Sequence, residues 1–160
     1  MSEPTQIFLR GKEYRADGLD ESPTFEKRAA GSAGEILDVR GGCAGPGTGG
    51  DKYYRLWETG DIPQGIFLDQ ESHNPYVSGK PSSHHCEDGQ PCDVAVAGVF
   101  LFNLRLITGQ TIVKGDDLEP VTATPTWQKQ SAGPVAARSA ETITTTAETW
   151  IRAWNLVNLV

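Results

Sequence analysis

Positive charge is in short supply in this sequence. Fourteen Lys and Arg stand against 21 Asp and Glu, for a formal net charge of -7 and a pI of about 4.9. The acidic residues are scattered rather than gathered into a tail. A surface of that sign repels phosphate backbones and anionic lipid headgroups, so no nucleic-acid partner and no membrane partner are expected. Long apolar runs are missing as well. No stretch approaches the roughly 20 residues that span a bilayer as a helix. The start, Met1-Ser2-Glu3-Pro4-Thr5, has no basic region followed by an apolar run, so no secretory signal is read there and synthesis in a cytoplasm is expected.

Cysteine is scarce: Cys43, Cys86 and Cys92 are the three. An odd number without a signal argues against a disulfide framework, and the plain expectation is three reduced thiols. A Cys86–Cys92 bridge is the lesser option, reserved for oxidising surroundings. Catalytic patterns are also wanting. The glycine-rich stretch 41–50 is not closed by Gly-Lys-Ser/Thr and no helical pattern follows it, so it is read as a flexible connection rather than a phosphate loop. No Gly-x-Ser-x-Gly elbow occurs. A Cys43–His73 dyad has only its residue types in its favour. The pair Asp116–Asp117 sits in Gly-Asp-Asp, where turn chemistry is the better reading than paired catalytic carboxylates.

The best metal candidates are His84, His85, Cys86 and Cys92, with His73 nearby in sequence. Imidazole and thiolate are the right ligands for zinc. However, Cys-x5-Cys is not a usual zinc spacing and no second half-site exists. A polar loop that happens to contain His and Cys is the preferred reading, and no cofactor is expected.

What the sequence does contain is turns and short strands. Eighteen Gly and ten Pro punctuate runs such as 35–39, 53–57, 65–69 and 93–97. The strongest core signal is 99–107. There Phe100, Phe102, Leu104 and Leu106 alternate with Val99, Leu101, Asn103, Arg105 and Ile107, as in a strand with one buried face. Further short strands are read at 111–113, 118–121 and 134–140. The end, 150–160, is too apolar for a tail and is open between helix and strand. Trp150, Ile151, Trp154, Val157 and Asn158 share a helical face, whereas the threonine-rich run before them favours β. Residues 70–92 read as a long polar surface loop. The expected fold is mostly β: a small β-barrel or β-sandwich with an extended N-terminal arm and long surface loops.

Residues 1–30 read as that arm. Its one strand-like run holds Ile7, Phe8 and Leu9; a segment so poor in apolar groups is either loose or ordered against a neighbour, and its short apolar strand suits addition to another subunit's sheet edge. The body is 31–160. Of the four tryptophans, Trp57, Trp127, Trp150 and Trp154, packing and interface roles are preferred over a carbohydrate platform. Trp150 and Trp154 are expected to be buried between subunits.

From residue 93 onward the order of elements resembles the small β-barrel decoration (cement) proteins of tailed bacteriophages. The resemblance rests on the strand ending in Ala97-Gly98-Val99-Phe100, the turn Val113-Lys114-Gly115-Asp116-Asp117-Leu118, the segment Val135-Ala136-Ala137-Arg138-Ser139-Ala140 and a hydrophobic terminal strand. Ala33–Leu37 and Ile62–Asp69 stand where that family has its first body strands. The glycine-rich stretch and the insertion at 70–92 depart from the pattern. The resemblance implies a non-enzymatic homotrimer on the outer surface of the virion. Its partner would be the major capsid protein, whose neighbouring subunits it clamps against internal pressure. A carbohydrate-binding β-sandwich module is the alternative expectation.

Overall fold

The computed structural model describes residues 24–26, 36–68, 85–87, 89 and 92–159. Among these residues every regular element is a strand. In chain order they are β1 (Thr24–Phe25), β2 (Ile36–Asp38), β3 (Cys43–Pro46), β4 (Tyr53–Leu56), β5 (Gly65–Phe67), β6 (His85–Glu87), β7 (Val94–Ala95), β8 (Leu101–Leu106), β9 (Thr111–Ile112), β10 (Asp117–Pro120), β11 (Thr126–Lys129), β12 (Ala137–Ser139), β13 (Ile143–Thr144) and β14 (Thr149–Asn155). The mostly β expectation holds.

Five strands close a barrel in the order β10-β11-β8-β14-β12, with β12 pairing back onto β10. Its spine is the antiparallel pair β8–β14, in register from Leu106↔Thr149 to Leu101↔Trp154. Along β8, Phe102, Leu104 and Leu106 point inward and the intervening residues outward, the alternation that the sequence displays. On β14, Ile151, Ala153 and Asn155 are buried while Trp150, Arg152 and Trp154 face out. The open question at the C-terminus is thereby settled as strand. β-Branched Thr149 and Ile151 and the two tryptophans suit a pleated, half-buried surface. The β11–β8 pairing is the one parallel seam of the barrel.

A second sheet, β1-β4-β3-β5-β7, lies against the barrel. Its successive residues serve two cores. Cys43, Ile66, Trp57 and Ala95 join the barrel interior with Phe100, Phe102 and Trp127. Their neighbours Ala44, Phe67, Leu56 and Val94 pack with Phe25, Val39, Tyr54 and Cys92. Both faces of this sheet are therefore apolar.

Three expectations need correction here. The glycine-rich stretch 41–50 is more than a flexible connection: it contains β3, and Gly41, Gly42 and Gly45 are buried. Gly41 has φ +70°, and a Cβ there would collide with the Asn103 carbonyl oxygen. The segment taken as arm includes β1, where Phe25 is 1% exposed and meets Phe67 edge-on at 5.7 Å. The segment 70–92, read as one loop, contains β6, which pairs antiparallel with β2. Ile7, Phe8 and Leu9 lie outside the described residues.

Candidate functional site: the outer wall of β8 and β14

The outward residues of β14 form a row of Trp150, Arg152 and Trp154, with Trp150 44% and Trp154 39% exposed. The register sets Trp150 opposite Arg105, Arg152 opposite Asn103 and Trp154 opposite Leu101 on β8. On the other flank, Trp154 faces Arg138 of β12. The wall is thus tryptophan and arginine laid on a rigid sheet whose reverse side is the core.

Around Trp150 the cations are held in place. The Arg105 guanidinium lies 5.0 Å from the ring centroid and that of Arg40 lies 5.4 Å away. Such cation–π contacts are worth about 0.5–1 kcal/mol at exposed sites. Arg40 grips Asp38 with both ends of its fork, Nε to Oδ1 at 2.8 Å and Nη2 to Oδ2 at 2.7 Å. Arg105 donates to the Asp38 carbonyl at 2.6 Å and reaches Glu148 at 3.4 Å. Burial pushes the Asp38 carboxyl pKa up. The Arg40 hydrogen bonds and the charges of Arg40 and Arg105 more than reverse this, and hold it below the usual value. Farther along, Arg138 pairs with Asp117 at 2.9 Å, and the Arg152 guanidinium lies 3.8 Å from the Glu141 carboxylate, which also accepts from the Arg152 backbone N–H at 2.6 Å. Each arginine of the wall therefore has an acidic counterpart.

The chemistry candidates fare differently. His73 and His84 lie outside the described residues. His85 and Cys86 are consecutive on β6, opposite Asp38 and Leu37 of β2. Cys92 is a buried thiol in the second core, not half of a disulfide, which removes the Cys86–Cys92 bridge. Among the described residues no group of three His, Cys, Asp or Glu side chains is gathered for a metal. Burial drives the Cys43 thiol pKa far up, helped by Asp61, so it stays protonated and is a poor nucleophile. Asp116 acts as turn chemistry: its carboxylate accepts from the Val113 backbone N–H at 2.9 Å and pairs with Lys129 at 3.0 Å. A cleft of about 400 Å³ opens beside the β3–β4 hairpin, lined by Pro46, Thr48, Asp51, Tyr53 and Gln64.

Sequence reasoning named Trp150 and Trp154 but missed their arginine companions. Arg105 was visible as an outward residue of β8, but its partner Arg40 comes from a distant turn. Trp57 and Trp127 are buried, which fits packing roles. No helix among the described residues is long and apolar enough to cross a membrane. No protein-family model matches the chain, and no curated protein matches it.

Proposed function

We propose that this chain is a non-catalytic structural protein: a decoration protein that binds the outer surface of an assembled tailed-phage capsid and clamps neighbouring capsid subunits. It is made in the host cytoplasm and ends in the virion. The observation that carries the reading is the β8–β14 wall. Trp and Arg are the residues most enriched in protein–protein interfaces, and here they stand in a row on a rigid barrel. Arginines already paired with acids can exchange partners with a protein surface at little electrostatic cost. A carbohydrate platform fits Trp150 less well, because a sugar stacks on a bare ring face and this ring lies beside two guanidinium groups.

Binding only to the assembled lattice stabilises that lattice by mass action. Several copies acting together multiply weak single contacts. The arm around Ile7, Phe8 and Leu9 is a second proposed contact. Its test is a truncation that stops before Thr24, since β1 belongs to the folded body.

The deciding experiment is co-sedimentation with expanded, undecorated capsid shells of the phage that encodes the chain. Saturable binding is expected, weakened at least tenfold by Arg105→Ala or Trp150→Ala. Absence of binding by the native protein would overturn the reading. Equal binding by both variants would move the contact to another face.

A further inference from the structure

The capsid reading leaves the cleft beside the β3–β4 hairpin unused. Its volume, about 400 Å³, is that of a small-molecule site. Pro46 ends β3, Tyr53 opens β4 and Gln64 stands just before β5. These three strands are neighbours in the sheet, so the cleft lies where one end of the sheet meets solvent. The turn that joins β3 to β4 is fixed in advance. The Thr48 and Gly49 N–H groups donate to the Glu26 carboxylate at 2.8–3.0 Å. Gly47 N–H donates to the Tyr53 carbonyl at 2.9 Å, and Tyr53 N–H to the Gly50 carbonyl at 3.1 Å. Gln64 is tied as well: its N–H donates to the Ala44 carbonyl at 2.8 Å, and its carbonyl accepts from Asn158 at 3.2 Å. A site held this way has little ordering cost left to meet when a ligand binds.

The lining narrows the class of ligand. A Cβ on Gly49 would come within 2.8–3.0 Å of three atoms of the Tyr53 ring, so the turn rests directly on that ring and fixes it. Tyr53 is still 37% exposed, and it lines the cleft. Among the described residues neither the Asp51 carboxylate nor the Tyr53 hydroxyl has a hydrogen-bond partner. Gln64 Nε2 donates to the Ile62 carbonyl at 3.1 Å, which leaves its Oε1 as an acceptor. Among the described residues no Lys, Arg or His lines the cleft. Asp51, on a chain of net charge -7, turns away phosphates and carboxylates. A purely apolar ligand would strip water from Asp51 and Gln64 and return no hydrogen bond. A neutral polyhydroxylated ring meets both demands: its hydroxyls donate to Asp51 and Gln64, and its C–H face lies on an aromatic ring.

We propose that this cleft binds a neutral saccharide, with one sugar ring stacked on Tyr53 and its hydroxyls donating to Asp51 and Gln64. Glu26 is a positioning residue, because it acts only through the turn that carries Asp51 and covers Tyr53. The site is separate from the Trp150 wall, whose ring already lies beside two guanidinium groups. It does not rest on the capsid reading. If both hold, a particle displays many copies of a weak sugar site, and many weak sites together hold a glycan-coated surface firmly.

The test is an NMR titration of the full chain with the methyl glycosides of glucose, galactose, mannose and N-acetylglucosamine, and with choline as a cationic probe. At least one glycoside should saturate, with a dissociation constant on the order of 1 mM. Tyr53→Ala and Asp51→Asn should each raise that constant at least tenfold, and Trp150→Ala should leave it unchanged. Gly49→Ala removes no group that touches the sugar, yet it should weaken binding because its Cβ displaces the Tyr53 ring. Asp51 and Tyr53 are exposed, so their variants should keep the native thermal midpoint. Should Tyr53→Ala fail to fold, Asp51→Asn reads the same site. No saturation by any glycoside overturns the inference, as does binding that survives both Tyr53→Ala and Asp51→Asn, or saturation by choline alone. The capsid reading fails separately: a native chain that saturates with glycoside but never sediments with shells keeps this inference and removes that one.

Discussion

The barrel and the sheet beside it solve the same problem by different means. In the barrel, β8, β11, β10, β12 and β14 pair in a closed circuit, so no strand presents an unpaired edge. One face of each strand is core and the other is solvent. In the sheet, β1 and β7 are short edge strands, the faces are apolar on both sides, and stability depends on contacts made outside the ladder. Glu26 is the clearest of these. Its carboxylate accepts from the backbone N–H groups of Thr48 and Gly49 and from the Thr48 hydroxyl, at 2.8–3.0 Å, and so locks β1 to the turn beyond β3. A closed sheet holds itself, whereas an open one must be fastened.

The two regions are joined at Trp127. Its indole is fully buried in the barrel, its Nε1 donates to the Gly41 carbonyl at 2.7 Å, and its ring meets Phe102 at 6.0 Å. Replacing it breaks both regions at once. Trp127→Ala should cost about 3–5 kcal/mol, the range for a large aromatic removed from a core, and it also leaves a carbonyl unpaired. Urea unfolding followed by the remaining tryptophans checks this. A loss under about 1 kcal/mol would mean that the regions fold independently.

Gly41→Ala attacks the same joint from the sheet side. The left-handed φ alone costs an alanine about 1 kcal/mol, and its Cβ would sit on the Asn103 carbonyl, so a loss of about 2–4 kcal/mol is expected. Gly60→Ala is the control. Gly60 also has a positive φ, of +98°, but nothing lies within 4 Å of its Cβ position, so only the backbone share should appear. Equal losses at the two glycines would show that the close approach to Asn103 contributes nothing.

The same contrast decides what could be read in advance. The strand 99–107 was legible because half-burial writes a period of two into the residues, and the burial pattern of β8 repeats it. β3 was not, because Cys43-Ala44-Gly45 is buried on both faces by close backbone approach. Small residues are what close approach needs, and in sequence they look like a loop. β11 was overlooked for another reason. Thr126 and Trp127 have high β propensity, but four residues flanked by Pro125 and a polar run are too few to show an alternation. At the candidate site the sequence displayed the tryptophans. It did not display the arginine pairing, because Arg40, Arg105 and Trp150 are brought together only by tertiary structure.

The finest comparison sets the fastening of the sheet against its counterpart in the barrel. Glu119 accepts from the backbone N–H groups of Ser131, Ala132 and Gly133, from the Ser131 hydroxyl and from Gln128. At both glutamates burial raises the carboxyl pKa, but the hydrogen bonds to the carboxylate outweigh it, and both fall below the ordinary 4.5. A folded-state pKa below the unfolded one stabilises the fold above the unfolded value. That stabilisation is lost as pH falls through the folded value. Stability should therefore be flat near neutrality and decline below about pH 4.5. Glu119 is 4% exposed and its carboxylate is the acceptor for five donors, so Glu119→Gln should cost about 2 kcal/mol at pH 7 and flatten the acid decline. Glu26 is nearer the surface, so Glu26→Gln should cost about 1 kcal/mol and flatten it less. Urea midpoints from pH 7 down to pH 3 distinguish the two. If Glu26→Gln proved the costlier, the open sheet would be the part of the fold whose fastening limits stability, and the barrel would tolerate a loosened loop because its circuit of strands stays closed.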